Sequence, residues 1–207
     1  MYGRLALALA LLAGPAAQAA DALSPPPVSD GVYRLPYADG VMVKVFDDAE
    51  THRPRGRVDL FGVRGSGPYR VVAAAAGRVT AIQDGYGEQQ SGRAAALCHN
   101  NYVWIAHPNG EWTTYSHLAR GSVTGGAGLK VGDQVRAGQP LGDEDAVGCA
   151  MLKHVHFEVA RPDPTAPLDA GGFLLDNEGG KRLRTPRFCG VPGGAVAKDA
   201  EYRAAPC

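Results

Sequence analysis

Residues 102–118 read YVWIAHPNGEWTTYSHL. The runs 102–107 and Trp112–Ser116 are rich in β-branched and aromatic residues. Such residues suit a pleated, half-buried surface. Pro108-Asn109-Gly110 stands between them. An Asn-Gly pair accepts the left-handed backbone of a tight turn, so the stretch predicts an antiparallel hairpin.

The same pattern repeats outward. Strand-like runs cover 41–46, 58–63, 69–74, 78–83 and 155–160, with turn signals such as Asp39-Gly40, Gly65-Ser66-Gly67-Pro68 and Asp84-Gly85 between them. Residues 131–142, VGDQVRAGQPLG, alternate short apolar stretches with glycine turns and suggest a tight β element. No stretch keeps a helical period. Gly and Pro number 28 and 15 in 207 residues, which favours many turns over long helices. The expected fold is all-β: a compact antiparallel sheet or barrel-like sandwich, with a loop-rich C-terminal tail.

Composition excludes several functions. The 21 Lys+Arg and 21 Asp+Glu give zero formal charge, so no polycationic surface exists for a nucleic acid. A hydrophobic fraction of 45% with 20% charged residues is that of a folded chain that buries a core.

Residues 1–20, MYGRLALALALLAGPAAQAA, form a separate object. Arg4 precedes a short apolar run, Gly14-Pro15 breaks it, and Ala17-Gln18-Ala19 offers a signal-peptidase site. The run falls short of the ~20 residues that span a bilayer. The expectation is a signal peptide over 1–19 and a periplasmic or secreted product without a stable membrane span. A Pro-rich extended lead-in then covers 20–40, a β domain 41–161 and a tail 162–207.

Cys98, Cys149, Cys189 and Cys207 fit that compartment. None is spaced C-x-x-C, so a zinc ribbon is not expected. Four cysteines allow three pairings. The favoured one is Cys98–Cys149 within the motif-bearing region and Cys189–Cys207 within the tail.

Chemistry concentrates in the histidines. His154 and His156 are two apart in a strand, so their rings share a face with Glu158. His52 and Asp59 flank an Arg-Pro-Arg-Gly loop, and His117 ends the hairpin. A His, an Asp and a second His suit zinc, leaving a fourth position open as catalytic sites do. His107 and His99 read as local structural histidines. Tyr115 shares strand alternation with His117 and is a candidate lining of a groove.

Four blocks in order resemble the lysostaphin/LytM-type zinc metallopeptidases, which cleave peptidoglycan: HRPRGRVDL, VVAAAAGRVTAIQDG, YVWIAHPNGEWTTYSHL, and KVGDQVRAGQPLGD followed by HVHFEV. The resemblance implies the duplicated-hybrid-motif β fold and one zinc per chain held by His52, Asp59 and His156. It implies His117 and His154 as catalytic, non-ligand histidines. Peptidoglycan peptides are the implied partner and a monomer the favoured state. The family usually places three residues between its first His and Asp; here six intervene. The second expectation is a catalytically silent relative that binds the wall or regulates other hydrolases.

Overall fold

Short strands cut by glycine and proline bury apolar surface only by pairing side by side. The computed structural model describes residues 25–90, 98–177 and 180–207. The expected signal segment therefore lies outside the described residues. Eleven strands occur among them: β1 (Met42–Asp47), β2 (Arg57–Val63), β3 (Arg70–Val72), β4 (Gly77–Gln83), β5 (Tyr102–Ala106), β6 (Trp112–Ser116), β7 (Gln134–Val135), β8 (Pro140–Asp143), β9 (Val155–Ala160), β10 (Leu183–Arg184) and β11 (Glu201–Arg203). The main sheet runs β11-β1-β2-β9-β6-β5-β4-β7, with β10 also on β9, while β3 and β8 pair separately. Every ladder is antiparallel. The all-β antiparallel class read from the sequence is the class observed.

The Asn-Gly stretch forms the expected hairpin. Tyr102 pairs with Ser116 and Ala106 with Trp112. Gly110 has φ 78°, which a side chain would strain, and His107 N–H donates to the Glu111 carbonyl at 2.8 Å.

Strand alternation divides the central strands into two faces. Val58, Leu60, Val103, Ile105, Tyr115, Val155, Phe157 and Val159 enter the main core, together with Val71 and Leu141 from the small sheet. Trp104, Ala160 and Leu183 form a second cluster on the other face, with Trp112, Leu168 and Leu174 against it. Every residue of β9 is consequently buried. The stretch 154–160, HVHFEVA, alternates accordingly: Val155, Phe157 and Val159 enter the main core, while His156 and Glu158 are buried on the other face.

The tail is loop-rich, as expected, with two short strands set into it. It adds β10 to β9 and β11 to β1. Strands of two and three residues carry too little pattern to be seen in a sequence. Its Cys189–Cys207 bridge and the Cys98–Cys149 bridge are both formed, with Cα separations of 5.5 and 5.4 Å.

Residues 25–40 of the Pro-rich lead-in belong to the same core. Tyr33, Leu35 and Tyr37 are at most 2% exposed. The buried Glu111 carboxylate fixes the segment to the hairpin turn. It accepts hydrogen bonds from Ser29 Oγ (2.7 Å), Asp30 N (2.9 Å), Gly31 N (3.0 Å), Tyr33 OH (2.8 Å) and Asn109 Nδ2 (3.0 Å). Burial works to raise its pKa, but these donors outweigh it and hold the carboxyl below its ordinary value. No helix among the described residues is long and apolar enough to cross a membrane.

Candidate functional site

The site is built on the face of β2, β9 and β6 that points away from the main core. Asp59 alternates with the core residues Val58 and Leu60, and His156 with Val155 and Phe157. The β2–β9 register sets Asp59 directly opposite His156, and the β9–β6 register sets His156 opposite Ser116. His117 follows β6 with φ 65°, which breaks the strand alternation at that point. His154 bridges to Asp145 just before β9. His52 arrives on the connection between β1 and β2.

These elements bring all five expected site residues together. Nδ1 of His156 lies 2.9 Å from Asp59 Oδ1, and Nε2 of His52 lies 3.4 Å from Oδ2. Nε2 of His154 is 3.6 Å from Asp59 Oδ1. The His117 and His154 rings are centred 4.6 Å apart.

Hydrogen bonds orient each ring. Nδ1 of His117 lies 2.7 Å from the Val147 carbonyl, and Nδ1 of His154 lies 2.9 Å from that of Leu152. A carbonyl can only accept, so each Nδ1 carries hydrogen and each Nε2 is free of that bond. His52 Nδ1 likewise donates to the Pro54 carbonyl at 3.2 Å. His156 Nε2 is 2.8 Å from Glu158 Oε1, which Arg57 approaches as an ion pair at 2.6 Å.

Electrostatics follow from this packing. Burial, then the neighbouring His156, presses His52 down to about 4. Burial, then His154 and His156, takes His117 down to about 3. Burial also disfavours charge on His156, but hydrogen bonds to Asp59 and Glu158 dominate and raise it to about 9. Burial would raise Asp59, yet the imidazoles of His154 and His156 keep it well below the carboxylate range.

The donor set fits zinc. The ligand atoms of His52, Asp59 and His156 all lie within 4.8 Å of one another. Two donors each about 2.1 Å from a tetrahedral ion stand about 3.4 Å apart, the spacing of His52 Nε2 and Asp59 Oδ2. His52 and His156 each donate one ring nitrogen to an oxygen, which is the arrangement metal-binding imidazoles use. The six-residue interval between His52 and Asp59 is absorbed by the loop that precedes β2. Its length carries little entropic cost.

The remaining candidates sit elsewhere. His107 is held by the Ala76 carbonyl and Thr113 Oγ1. His99 stacks on Tyr86 at 4.9 Å. Tyr115 is fully buried and edge-on to Phe157, its hydroxyl accepting from Ala74 N–H at 2.7 Å. It does not line a groove, because the positive φ of His117 ends the shared alternation. Glu158, which shares the strand face of His154 and His156, holds the His156 ring from behind.

A cleft of about 290 Å³ opens over the five residues. Phe46, Arg57 and Phe173 also line it, together with Met151, Leu152 and the Cys98–Cys149 bridge. None of residues 25–40 does. Phe173 is not legible as a site residue in the sequence. Its only signal there is a glycine pair before an aromatic residue.

The profile of peptidase family M23 matches residues 54–169, more than half of the chain. The match starts two residues after His52 and ends before Phe173. A comparison with curated proteins gave no match. Among solved structures, an M23 peptidase of Pseudomonas aeruginosa is 22% identical, with 69% of this chain and 51% of that chain covered and a TM-score of 0.41. The present chain thus spans about half that protein's length. The catalytic domain of lysostaphin from Staphylococcus simulans is 20% identical over 62% of this chain and 78% of its own, with a TM-score of 0.37. A point mutant of the catalytic domain of the prophage-encoded M23 protein EnpA from Enterococcus faecalis is 22% identical. It is covered over 91% of its length, against 70% of this chain, with a TM-score of 0.38. With Asp59, His117, His154 and His156 all inside the matched residues, the chain belongs to peptidase family M23.

Proposed function

We propose that this chain is an exported zinc metalloendopeptidase that hydrolyses peptide cross-links of bacterial cell-wall peptidoglycan. One observation carries the reading: three ligand atoms from His52, Asp59 and His156 converge beside two further imidazoles, at the open face of a peptidase-family sheet. His52, Asp59 and His156 are the residues that would hold the metal. When bound, zinc would supply Lewis acidity that polarises the scissile carbonyl and acidifies water at neutral pH.

His117 and His154 do the proton work. Their Nδ1 hydrogens are committed to the Val147 and Leu152 carbonyls, so each presents Nε2 to the cleft side of the cluster. One accepts a proton from the attacking water, and either steadies the oxyanion or returns a proton to the leaving amine. Glu158, backed by Arg57, accepts from His156 Nε2 and so holds the ring with its Nδ1 facing Asp59. The two disulfides support an oxidising compartment.

The test is digestion of purified peptidoglycan with and without a chelator, with mass analysis of the fragments and a count of bound metal. New amine termini, lost on chelation and regained with zinc, are the expected result. Protein that takes up zinc stoichiometrically yet releases no peptide bond is instead the silent relative.

A further inference from the structure

The cleft has two chemistries. Its floor is the imidazole and carboxylate cluster; apolar side chains form part of its walls, beside Asp47, Arg53, Arg57 and Asn100. Phe46 comes from β1, Met151 and Leu152 from the segment before β9, and Phe173 from the tail. Met151 and Leu152 lie within the residues matched by the peptidase family, and Phe173 lies beyond them.

The tail turn that delivers Phe173 is built rather than loose. Asp169 Oδ1 accepts from Gly171 N at 2.8 Å and Phe173 N at 2.9 Å. Asn100 Nδ2 donates to the Gly171 carbonyl at 3.1 Å, and the buried Trp104 indole donates to that of Gly172 at 2.7 Å. Gly172 has φ 81°, and a Cβ there would stand 2.2 Å from the Tyr102 ring. Leu168 and Leu174 bridge the ends of the turn. The Phe173 ring is thereby held 5.4 Å from that of His156, with the Arg57 guanidinium 5.1 Å from its centre. Met151, on the same cleft, is 75% exposed, an apolar side chain kept in water at the rim.

We propose that Phe173 is a specificity-determining residue: with Met151 and Leu152 it forms a subsite for an apolar side chain next to the scissile bond. A peptide whose carbonyl lies over the ligand cluster must set a neighbouring residue against these walls. Glycine leaves them wetted. Alanine or a larger apolar residue dries them, and the difference is read in both binding and turnover. The inference rests on the peptidase reading for the word scissile, but not for the subsite.

The experiment compares pentaglycine with the same peptide carrying a central alanine, in L and D forms, using the full zinc-loaded chain. Rates are taken on the peptides, and affinities by calorimetry on reduced-amide analogues that cannot be hydrolysed. Wild type should favour alanine by about tenfold in kcat/KM and in affinity. Phe173→Ala and Met151→Ala should bring the ratio within about twofold, with bound zinc unchanged, and Phe173→Leu should restore most of it. No preference in wild type, or a ratio that both variants leave intact, would overturn the proposal. If neither peptide is cut but the analogue ratio still depends on Phe173, the peptidase reading fails and the subsite stands. If the peptides are cut with a ratio blind to Phe173, the peptidase reading stands and the subsite fails. If Phe173→Ala does not fold, the Phe173→Leu and Met151→Ala ratios decide the question.

Discussion

Asp59 and His156 are register partners on β2 and β9, and their side chains meet at 2.9 Å on the face turned away from the main core. A sheet register is rigid, so two of the three proposed ligands are positioned by backbone pairing. The third, His52, comes from a connection and is aimed by its own bond to Pro54.

Removing a ligand should remove the metal. Asp59→Ala and His156→Ala are each expected to abolish stoichiometric zinc and hydrolysis together. Metal analysis of the purified variants checks this. Asp59→Ala that still holds about one zinc per chain would take Asp59 out of the ligand set.

His117→Ala and His154→Ala should separate chemistry from binding. Both are expected to retain zinc and the β-rich circular dichroism while losing about 10²- to 10⁴-fold in rate. Unchanged hydrolysis in either variant removes that histidine from the proton-transfer role.

Glu158→Gln tests the layer behind the ligands. The carboxylate lies 2.8 Å from His156 Nε2 and is paired with Arg57. Loss of that orientation should weaken zinc by about 10- to 100-fold, measured by chelator competition.

Glu111→Gln probes the lead-in without touching the cleft. Five donors converge on this carboxylate. The amide can accept with only one oxygen, so unfolding free energy should fall by about 2–4 kcal/mol in urea melts. The pH dependence has a definite sign. The folded carboxyl titrates below its unfolded value. Its contribution is therefore full above about pH 4.3 and lost as pH falls through the lower folded value. Stability of Glu111→Gln should decline less steeply in that acidic window than stability of the parent chain.

The bridges close loops of different length, with sequence separations of 51 and 18. From chain entropy, loss of Cys98–Cys149 should cost about 4 kcal/mol and loss of Cys189–Cys207 about 3. Melting of the paired Cys→Ser variants measures both. Non-reducing peptide mapping checks the pairing itself, and a Cys98–Cys189 peptide would refute it.

The sequence by itself determined the fold class and the residue types of the candidate site. Trp112–Ser116 and Val155–Ala160 have the bounds read from β-branched runs and turn residues, because backbone preference and turn geometry are local properties. The spacing of His154 and His156 announced a shared face for the same reason. Only the tertiary structure decided which distant residues meet. It placed Asp59 against His156 and closed the long interval from His52. It also turned His117 away from Tyr115 through one positive φ. It showed Tyr33, Leu35 and Tyr37 inside the core although proline obscured their pattern, and it revealed β10 and β11, too short to carry a period. Phe173 is the clearest case. It reaches His156 through bonds to Asn100 and Trp104, roughly seventy residues away along the chain. Contacts of that range are set by strand order and packing, which no local window of sequence encodes.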